Sequence, residues 1–157
     1  MHRVHTYGWK GWPSFGLLVL RLVVGSAFVL HGWPKIQHAT SWMNGMGPGA
    51  AHPLLQAAAA LAEFGGGIAL ILGFLTPVAA AALAVNMLFA LFLVHLPKGQ
   101  PFVGQGPGGS FELPLVYLAV MVALFFVGPG RFSMDAALWK QRFLIVHERE
   151  LPAVKAA

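Results

Sequence analysis

Four long apolar runs constrain this chain more than any other feature of its sequence. They cover about residues 15–32, 54–75, 78–96 and 111–127. Each is close to the length of about 20 residues that a helix needs to cross the hydrocarbon core of a bilayer. Backbone amides cannot go unpaired in lipid, so spans of this length must be helices. The sequence therefore predicts an all-α fold, a bundle of four transmembrane helices.

Composition favours a membrane protein over a soluble domain. Hydrophobic residues make up 57% of the 157 residues and charged residues 10%, whereas soluble domains carry about 25% charged residues. The formal net charge is +5. The basic residues cluster near the chain ends, which fits lipid headgroups and topology better than nucleic acid. The chain has no cysteine, which excludes disulfides, cysteine-ligated metals and thiol redox chemistry within it.

The breaks between the runs carry turn chemistry. Residues 44–53 and 97–109 are rich in glycine and proline. Thr76-Pro77, by contrast, leaves almost no connection between the second and third runs. Proline is tolerated in the first turn of a helix, so these two runs are predicted to form a tight antiparallel hairpin.

The domain organisation follows from these spans. Residues 1–14 are predicted to be a cytoplasmic N-terminal segment, residues 15–130 the transmembrane domain, and residues 131–157 a short cytoplasmic interfacial helix with a tail. Ser133 is the predicted N-cap of that helix, and Asp135 in its first turn favours the helix dipole. An alternative is that the first span is a cleaved signal peptide, but its apolar sequence continues beyond the candidate cleavage site.

Counting Lys and Arg predicts the orientation. Seven lie on the side that holds both termini and two on the opposite side, while Arg21 lies inside the first span. The positive-inside rule then puts both termini in the cytoplasm. The expected location is the plasma (inner) membrane.

Three polar residues interrupt the apolar runs: Arg21, Glu63 and Asn86. A lone charge at a helix centre costs about 2.5–3.5 kcal/mol on insertion scales. A helix rises about 1.5 Å per residue, so the depth of each polar residue can be estimated by counting residues from the outer end of its span. The three depths are roughly 13–15 Å, that of Arg21 being counted from His31. Arg21 and Glu63 are therefore predicted to pair, with Asn86 in the same layer. Such a layer could only fix helix register, or it could also bind a ligand or relay protons.

A second polar set is predicted at the outer face and consists of His31, Lys35, His95 and Glu112. Two histidines on different helices suit metal or haem ligation in principle. They show no ligand spacing, so no metal site is predicted. Glu112 has a sufficient structural explanation at a helix start.

These polar positions carry a resemblance to the DoxX family of small four-helix membrane proteins. The motifs occur in order over about residues 15–138. The matching residues are Arg21, Gly25, Phe28, His31, Gly32, Lys35, Glu63, Gly66, Gly67, Leu72, Gly73, Thr76, Asn86, Ala90, Val94, His95, Glu112, Gly128, Pro129, Gly130, Arg131, Ser133 and Asp135.

The resemblance implies a membrane subunit or anchor of an oxidoreductase that contacts a quinone, since the family takes its name from a subunit of an archaeal thiosulfate:quinone oxidoreductase. No intrinsic cofactor and no catalytic residue is identified, so the redox chemistry would come from a protein partner. The alternatives are a non-catalytic scaffold for a soluble partner and, less favoured, a transporter, which with four short helices is small unless the chain forms a homo-oligomer.

Overall fold

The structure, a computed structural model, describes residues 12–44, 51–106 and 108–138. These ranges contain four α-helices in chain order: α1 (Trp12–Gln37), α2 (Pro53–Leu72), α3 (Thr76–Phe89) and α4 (Glu112–Val127). A π-helical segment, Ala90–His95, continues α3 without a break. No strand occurs within the described ranges. The all-α prediction is confirmed.

Three of these helices are long and apolar enough to cross a membrane, namely α1, α2, and α3 together with its π-helical segment. α4 is apolar but has 16 residues, about 24 Å of helix against a hydrocarbon core about 30 Å thick. Large apolar side chains such as Val23, Leu61 and Phe126 are exposed on the outside of the bundle. A surface of this kind is suited to lipid, and the chain is an integral membrane protein in contact with the bilayer.

The α2–α3 hairpin is as tight as predicted. α2 ends at Gly73, which takes the left-handed conformation (φ 64°) typical of a helix C-terminus. Two residues later Leu75 also has a positive φ of 46°, an unusual conformation for a side chain with a Cβ. α3 then begins at Thr76 with Pro77 in its first turn, where its missing N–H costs little.

α1 and α2 approach each other through glycine. A Cβ on Gly67 would lie 2.8 Å from the Gly25 carbonyl oxygen and 2.8 Å from the Val29 nitrogen, and a Cβ on Gly25 would lie 2.8 Å from the Gly67 oxygen. Small residues of this kind allow membrane helices to pack backbone against backbone. The rest of the core is apolar and joins all four helices; its fully buried members include Phe28, Leu70, Leu83, Met121 and Leu124.

α1 is longer than its predicted span. It continues to Gln37, past Pro34, and so adds five residues or about 8 Å beyond Gly32. The polarity that begins at His31 suggested an end to the span. A helix can nevertheless extend beyond the hydrocarbon, and a proline near its end removes only one hydrogen bond.

The segment after α4 is described only as far as residue 138. Ser133 Oγ accepts a hydrogen bond from the Ala136 amide at 3.1 Å, as expected of the predicted N-cap, and residues 134–138 are helical. The remainder of the predicted interfacial helix and tail, and residues 1–11 of the predicted N-terminal segment, lie outside the described residues.

Candidate functional site

Arg21 is fully buried, with 0% of its surface exposed, and it binds backbone carbonyls. Nη1 donates to the Leu70 oxygen at 3.1 Å and to the Ile71 oxygen at 3.5 Å. Nη2 donates to the Phe132 oxygen. Leu70 and Ile71 are in the last turn of α2, where carbonyls lack the usual partner four residues on and carry the negative end of the helix dipole. The Leu70 oxygen also accepts from the Gly73 amide at 3.1 Å. We call these contacts the Arg21 centre.

Asp135 completes the Arg21 centre from the other side of the α2–α3 turn. Its carboxylate accepts from the Leu75 amide at 2.8 Å and the Thr76 amide at 2.9 Å, which caps the N-terminus of α3. Its own amide donates to the Gly73 oxygen at 2.9 Å. The segment that follows α4 is therefore fastened to the α2–α3 turn by both Arg21 and Asp135.

Glu63 forms a second polar centre near the middle of α2. Its Oε1 accepts from Lys35 Nζ at 2.6 Å and from Asn86 Nδ2 at 2.9 Å. Glu63 is only 4% exposed. Its other oxygen, Oε2, is buried and has no hydrogen-bond partner within the part of the chain that the structure describes. We call these three residues the Lys35–Glu63–Asn86 cluster.

Trp42, in the connection that follows α1, covers Lys35. The ammonium nitrogen lies 4.6 Å from the centroid of the Trp42 ring, within the range of a cation–π contact. Gln56 of α2 holds this connection in place. Its backbone oxygen accepts from Trp42 Nε1 at 2.9 Å, and its side-chain oxygen accepts from the Met43 amide at 2.8 Å. The result is a covered polar centre in which Glu63 is buried, whereas Asn86 and Lys35, whose side chain is 26% exposed, are partly exposed.

The predicted pairing of Arg21 with Glu63 is wrong. Arg21 binds α2 at Leu70, seven residues or about 10 Å along the helix from Glu63. The depth estimate failed because α1 does not end near His31. Its extension carries Lys35 to Glu63, so Lys35 neutralises the carboxylate in place of Arg21. Glu63 and Asn86 meet as the sequence predicted.

The structure does not bring the four predicted outer-face residues together. Lys35 joins Glu63, whereas His95 Nδ1 contacts Gln100 Oε1 at 2.5 Å. His31 and Glu112 are exposed, with Glu112 in the first turn of α4. The described residues contain no group of three or more His, Asp or Glu side chains arranged to hold a metal ion.

Sequence reasoning missed Gln56 and Trp42, and it did not predict that the Asp135 carboxylate, in the first turn of the helix after Ser133, also caps α3. Gln56 had a signal, because it is a polar residue near the start of an apolar run and is only 1% exposed. Asp135 had none, since its partners Leu75 and Thr76 are about 60 residues away in the chain.

An apolar groove of about 380 Å³ lies along α2 and α3. It is lined by residues on both helices and on the turn between them: Ala62, Gly65, Gly66, Ile68, Ala69, Leu72, Phe74, Leu75, Val78, Ala79 and Ala82. Gly66 is three residues from Glu63 along α2, and Ala82 is four residues from Asn86 along α3. One end of the groove is therefore within about one helical turn of the Lys35–Glu63–Asn86 cluster.

The apolar helices and their two buried polar centres define a helical integral membrane protein. The DoxX family model matches residues 16–96, about half of the chain, and the chain belongs to this family.

The relatives of this chain include three bacterial proteins. An uncharacterized protein of Haemophilus influenzae is 36% identical over 130 residues, which cover 82% of this chain and 94% of the relative. Inner membrane protein YqjF of Escherichia coli is 34% identical over 136 residues, covering 84% and 98%. An uncharacterized membrane protein of Mycobacterium tuberculosis is 32% identical over 145 residues, covering 84% and 85%. No solved structure matches the chain.

Proposed function

We propose that this protein is a membrane subunit of an oxidoreductase, and that the Lys35–Glu63–Asn86 cluster is the polar end of a quinone-contacting site. The observation that carries this proposal is the buried, unpartnered Oε2 of Glu63. A buried polar atom without a partner is costly. Such an atom is therefore a natural place for a ligand that supplies the missing hydrogen bond.

The residues of the cluster fit a quinone head. A bound quinone supplies two-electron, two-proton chemistry. The Lys35 ammonium and the Asn86 amide can donate hydrogen bonds to a carbonyl oxygen, and Glu63 can hold and release a proton at Oε2. The sequence analysis placed Arg21 in this site. We leave it out of the proposed site, because its guanidinium donates to the backbone oxygens of Leu70 and Phe132. Electrons would come from a redox protein partner, since no thiol exists in the chain.

The groove along α2 and α3 supports the same proposal. It is apolar, and one of its ends is near the cluster, so an isoprenoid chain could lie in it with the head at Glu63. Its volume is within the range of about 300–1,000 Å³ found for small-molecule sites.

The orientation belongs to this proposal as well. Seven basic residues on the side of the termini favour an inner-membrane protein with both termini in the cytoplasm. The Lys35–Glu63–Asn86 cluster then extends from the middle of the bundle towards the outer face, and the Arg21 centre is near the cytoplasmic face. A chain without cysteine is convenient for testing this, because a single introduced cysteine is the only target of an impermeant maleimide.

The proposal is tested by purifying the protein in a mild detergent and quantifying co-eluting quinones by mass spectrometry. We expect wild type to retain quinone and Glu63→Gln to lose most of it. Glu112→Gln is the matched control, because it removes an exposed carboxylate and should leave the quinone content unchanged. Equal quinone content in wild type and Glu63→Gln, or none in wild type, contradicts the proposal.

A scaffold without catalysis is the second candidate, and one observation favours it. Arg21 and Asp135 fix the start of the segment after α4 against the bundle, which suits a chain that presents its C-terminal region to a soluble partner. Affinity purification of the same partner with wild type and with Glu63→Gln would support this function. Loss of the partner in Glu63→Gln would contradict it.

A further inference from the structure

The two directions out of the Glu63 site differ in their access to water. Towards the α1–α2 connection, Glu63 Oε1 is 2.6 Å from Lys35 Nζ, and the Lys35 side chain is 26% exposed. The Lys35 side chain therefore links the buried carboxylate to the surface on that side, beneath the ring of Trp42. Asn86, the other partner of Glu63, is partly exposed as well but carries no titratable proton.

Towards the Arg21 centre, Glu63 is separated from water by a closed apolar layer. Phe28, Leu70 and Leu83 come from three different helices and are 1%, 0% and 0% exposed. Below them Arg21, also fully buried, adds a fixed positive charge that repels an incoming proton. The Gly25–Gly67 contact leaves no space between α1 and α2 in the same region.

We propose that Glu63 exchanges its proton only with the aqueous phase that the α1–α2 connection faces, and that Lys35 carries this proton. When a proton moves from water to Glu63, an N–H bond of the Lys35 ammonium breaks and an O–H bond forms on Glu63. The neutral amine then takes a proton from water. This deepens the proposed function, because it states which side of the membrane supplies the proton of the quinone site. It does not require a bound quinone.

The other titratable groups around Glu63 are not part of this route. Among the described residues, Lys35 is the side chain that forms an ion pair with Glu63, and α3 contributes the neutral Asn86. Tyr117 of α4 packs against the Phe28 ring. The remaining titratable groups of the connections and helix ends on this side are His31, His38, His52, His95, Lys98 and Glu112, and five of these six are exposed.

The experiment uses the full chain in liposomes and two readouts. Ser41→Cys, at an exposed position of the α1–α2 connection, is labelled with an impermeant maleimide to give the fraction of molecules whose connection faces outward. Infrared difference spectra of this protein against the same protein with Glu63→Gln then report the carboxylic acid band of Glu63. The outer compartment alone is acidified first, and then both compartments.

We expect acidification of the outer compartment alone to give part of the carboxylic acid band seen when both compartments are acid. That part should equal the fraction of molecules labelled by the maleimide. A band that follows the complementary fraction, a full band on acidifying one side, or no band when both compartments are acid would each overturn the proposal. A failed quinone assay would leave this result unchanged, so the two proposals fail separately.

Lys35→Arg tests the carrier role. Arginine keeps the positive charge beside Glu63 but does not release a proton under the acid conditions of this experiment. We expect the Glu63 band to appear several-fold more slowly in this variant after a rapid pH change, with the same final amplitude. Appearance at the wild-type rate would overturn the role of Lys35.

Discussion

The two buried charges of this protein are stabilised in different ways. Arg21 is held by backbone carbonyls of α2 and of the segment after α4, so its partners cannot move away without unfolding a turn. Glu63 is held by two side chains, Lys35 and Asn86, which can rotate. Both charges are nearly inaccessible, and each has one buried atom without a partner among the described residues, Nε of Arg21 and Oε2 of Glu63. The difference lies in the partners, since only those of Glu63 are flexible side chains.

This difference indicates that burial of a charge in a membrane does not by itself identify a functional residue. A charge that completes the hydrogen bonding of helix ends is part of the fold. A charged group that pairs with other side chains through one atom and keeps a second atom without a partner can bind a ligand through that second atom. The four variants below break or sharpen this comparison, from the largest expected effect to the smallest.

Arg21→Met removes the donor to three carbonyls and is expected to have the largest effect. Its loss should lower the free energy of unfolding by about 3–5 kcal/mol, the range found when one partner of a buried charged network is removed. The measurement is an unfolding titration with sodium dodecyl sulfate in mixed micelles, followed by circular dichroism.

Arg131→Met is the matched control for this variant, since Arg131 is exposed and its loss should change stability little. If Arg21→Met and Arg131→Met unfold at the same detergent fraction, the Arg21 centre does not stabilise the fold.

Gly67→Val tests the crossing of α1 and α2 that separates the two centres. A Cβ at this position would approach the Gly25 oxygen and the Val29 nitrogen at 2.8 Å, so α1 must move away. We expect a loss of about 2–3 kcal/mol in the same titration, as for overpacking of a core. Gly16→Val is the control, because nothing lies within 4 Å of a Cβ there. Similar losses in both variants would mean that helix propensity, and not the crossing, sets the effect.

Lys35→Met should cost less than Arg21→Met, about 1.5–2 kcal/mol, because it removes one charge-assisted hydrogen bond and the unpaired carboxyl group can take up a proton. The decisive measurement is a double-mutant cycle with Glu63→Leu. The double variant should be more stable than Lys35→Met alone. Additive losses would show that the two side chains do not interact.

Asp135→Ala removes the cap of α3 and should cost about 1 kcal/mol. Its effect should be local, with faster hydrogen exchange at the Leu75 and Thr76 amides, because both donate hydrogen bonds to the Asp135 carboxylate. Ser133→Ala provides the comparison, since Ser133 caps only the helical residues that follow it. Unchanged exchange at both amides in Asp135→Ala would exclude the capping role.

Much of the fold followed from the sequence, whereas less of the site did. Apolar runs predicted the helices, and the Thr76-Pro77 break predicted the hairpin. The close crossing of α1 and α2 at Gly25 and Gly67 was not predicted. A common layer for Glu63 and Asn86 was also predicted, because both lie at comparable depth, and in the structure they meet. The partner of Glu63 was not predicted correctly, because a difference of one or two helical turns in the end of α1 decides whether Arg21 or Lys35 reaches the carboxylate.

The sequence by itself determined that this chain is a helical membrane protein with polar groups inside its bundle, because hydrophobic run length and the cost of unpaired amides in lipid are local properties. Only the tertiary structure decided which polar groups meet. Arg21 and Phe132 are 111 residues apart in the chain and Lys35 and Glu63 are 28 apart. Such contacts depend on where α1 ends and how far it slides along α2, and no local pattern records either quantity.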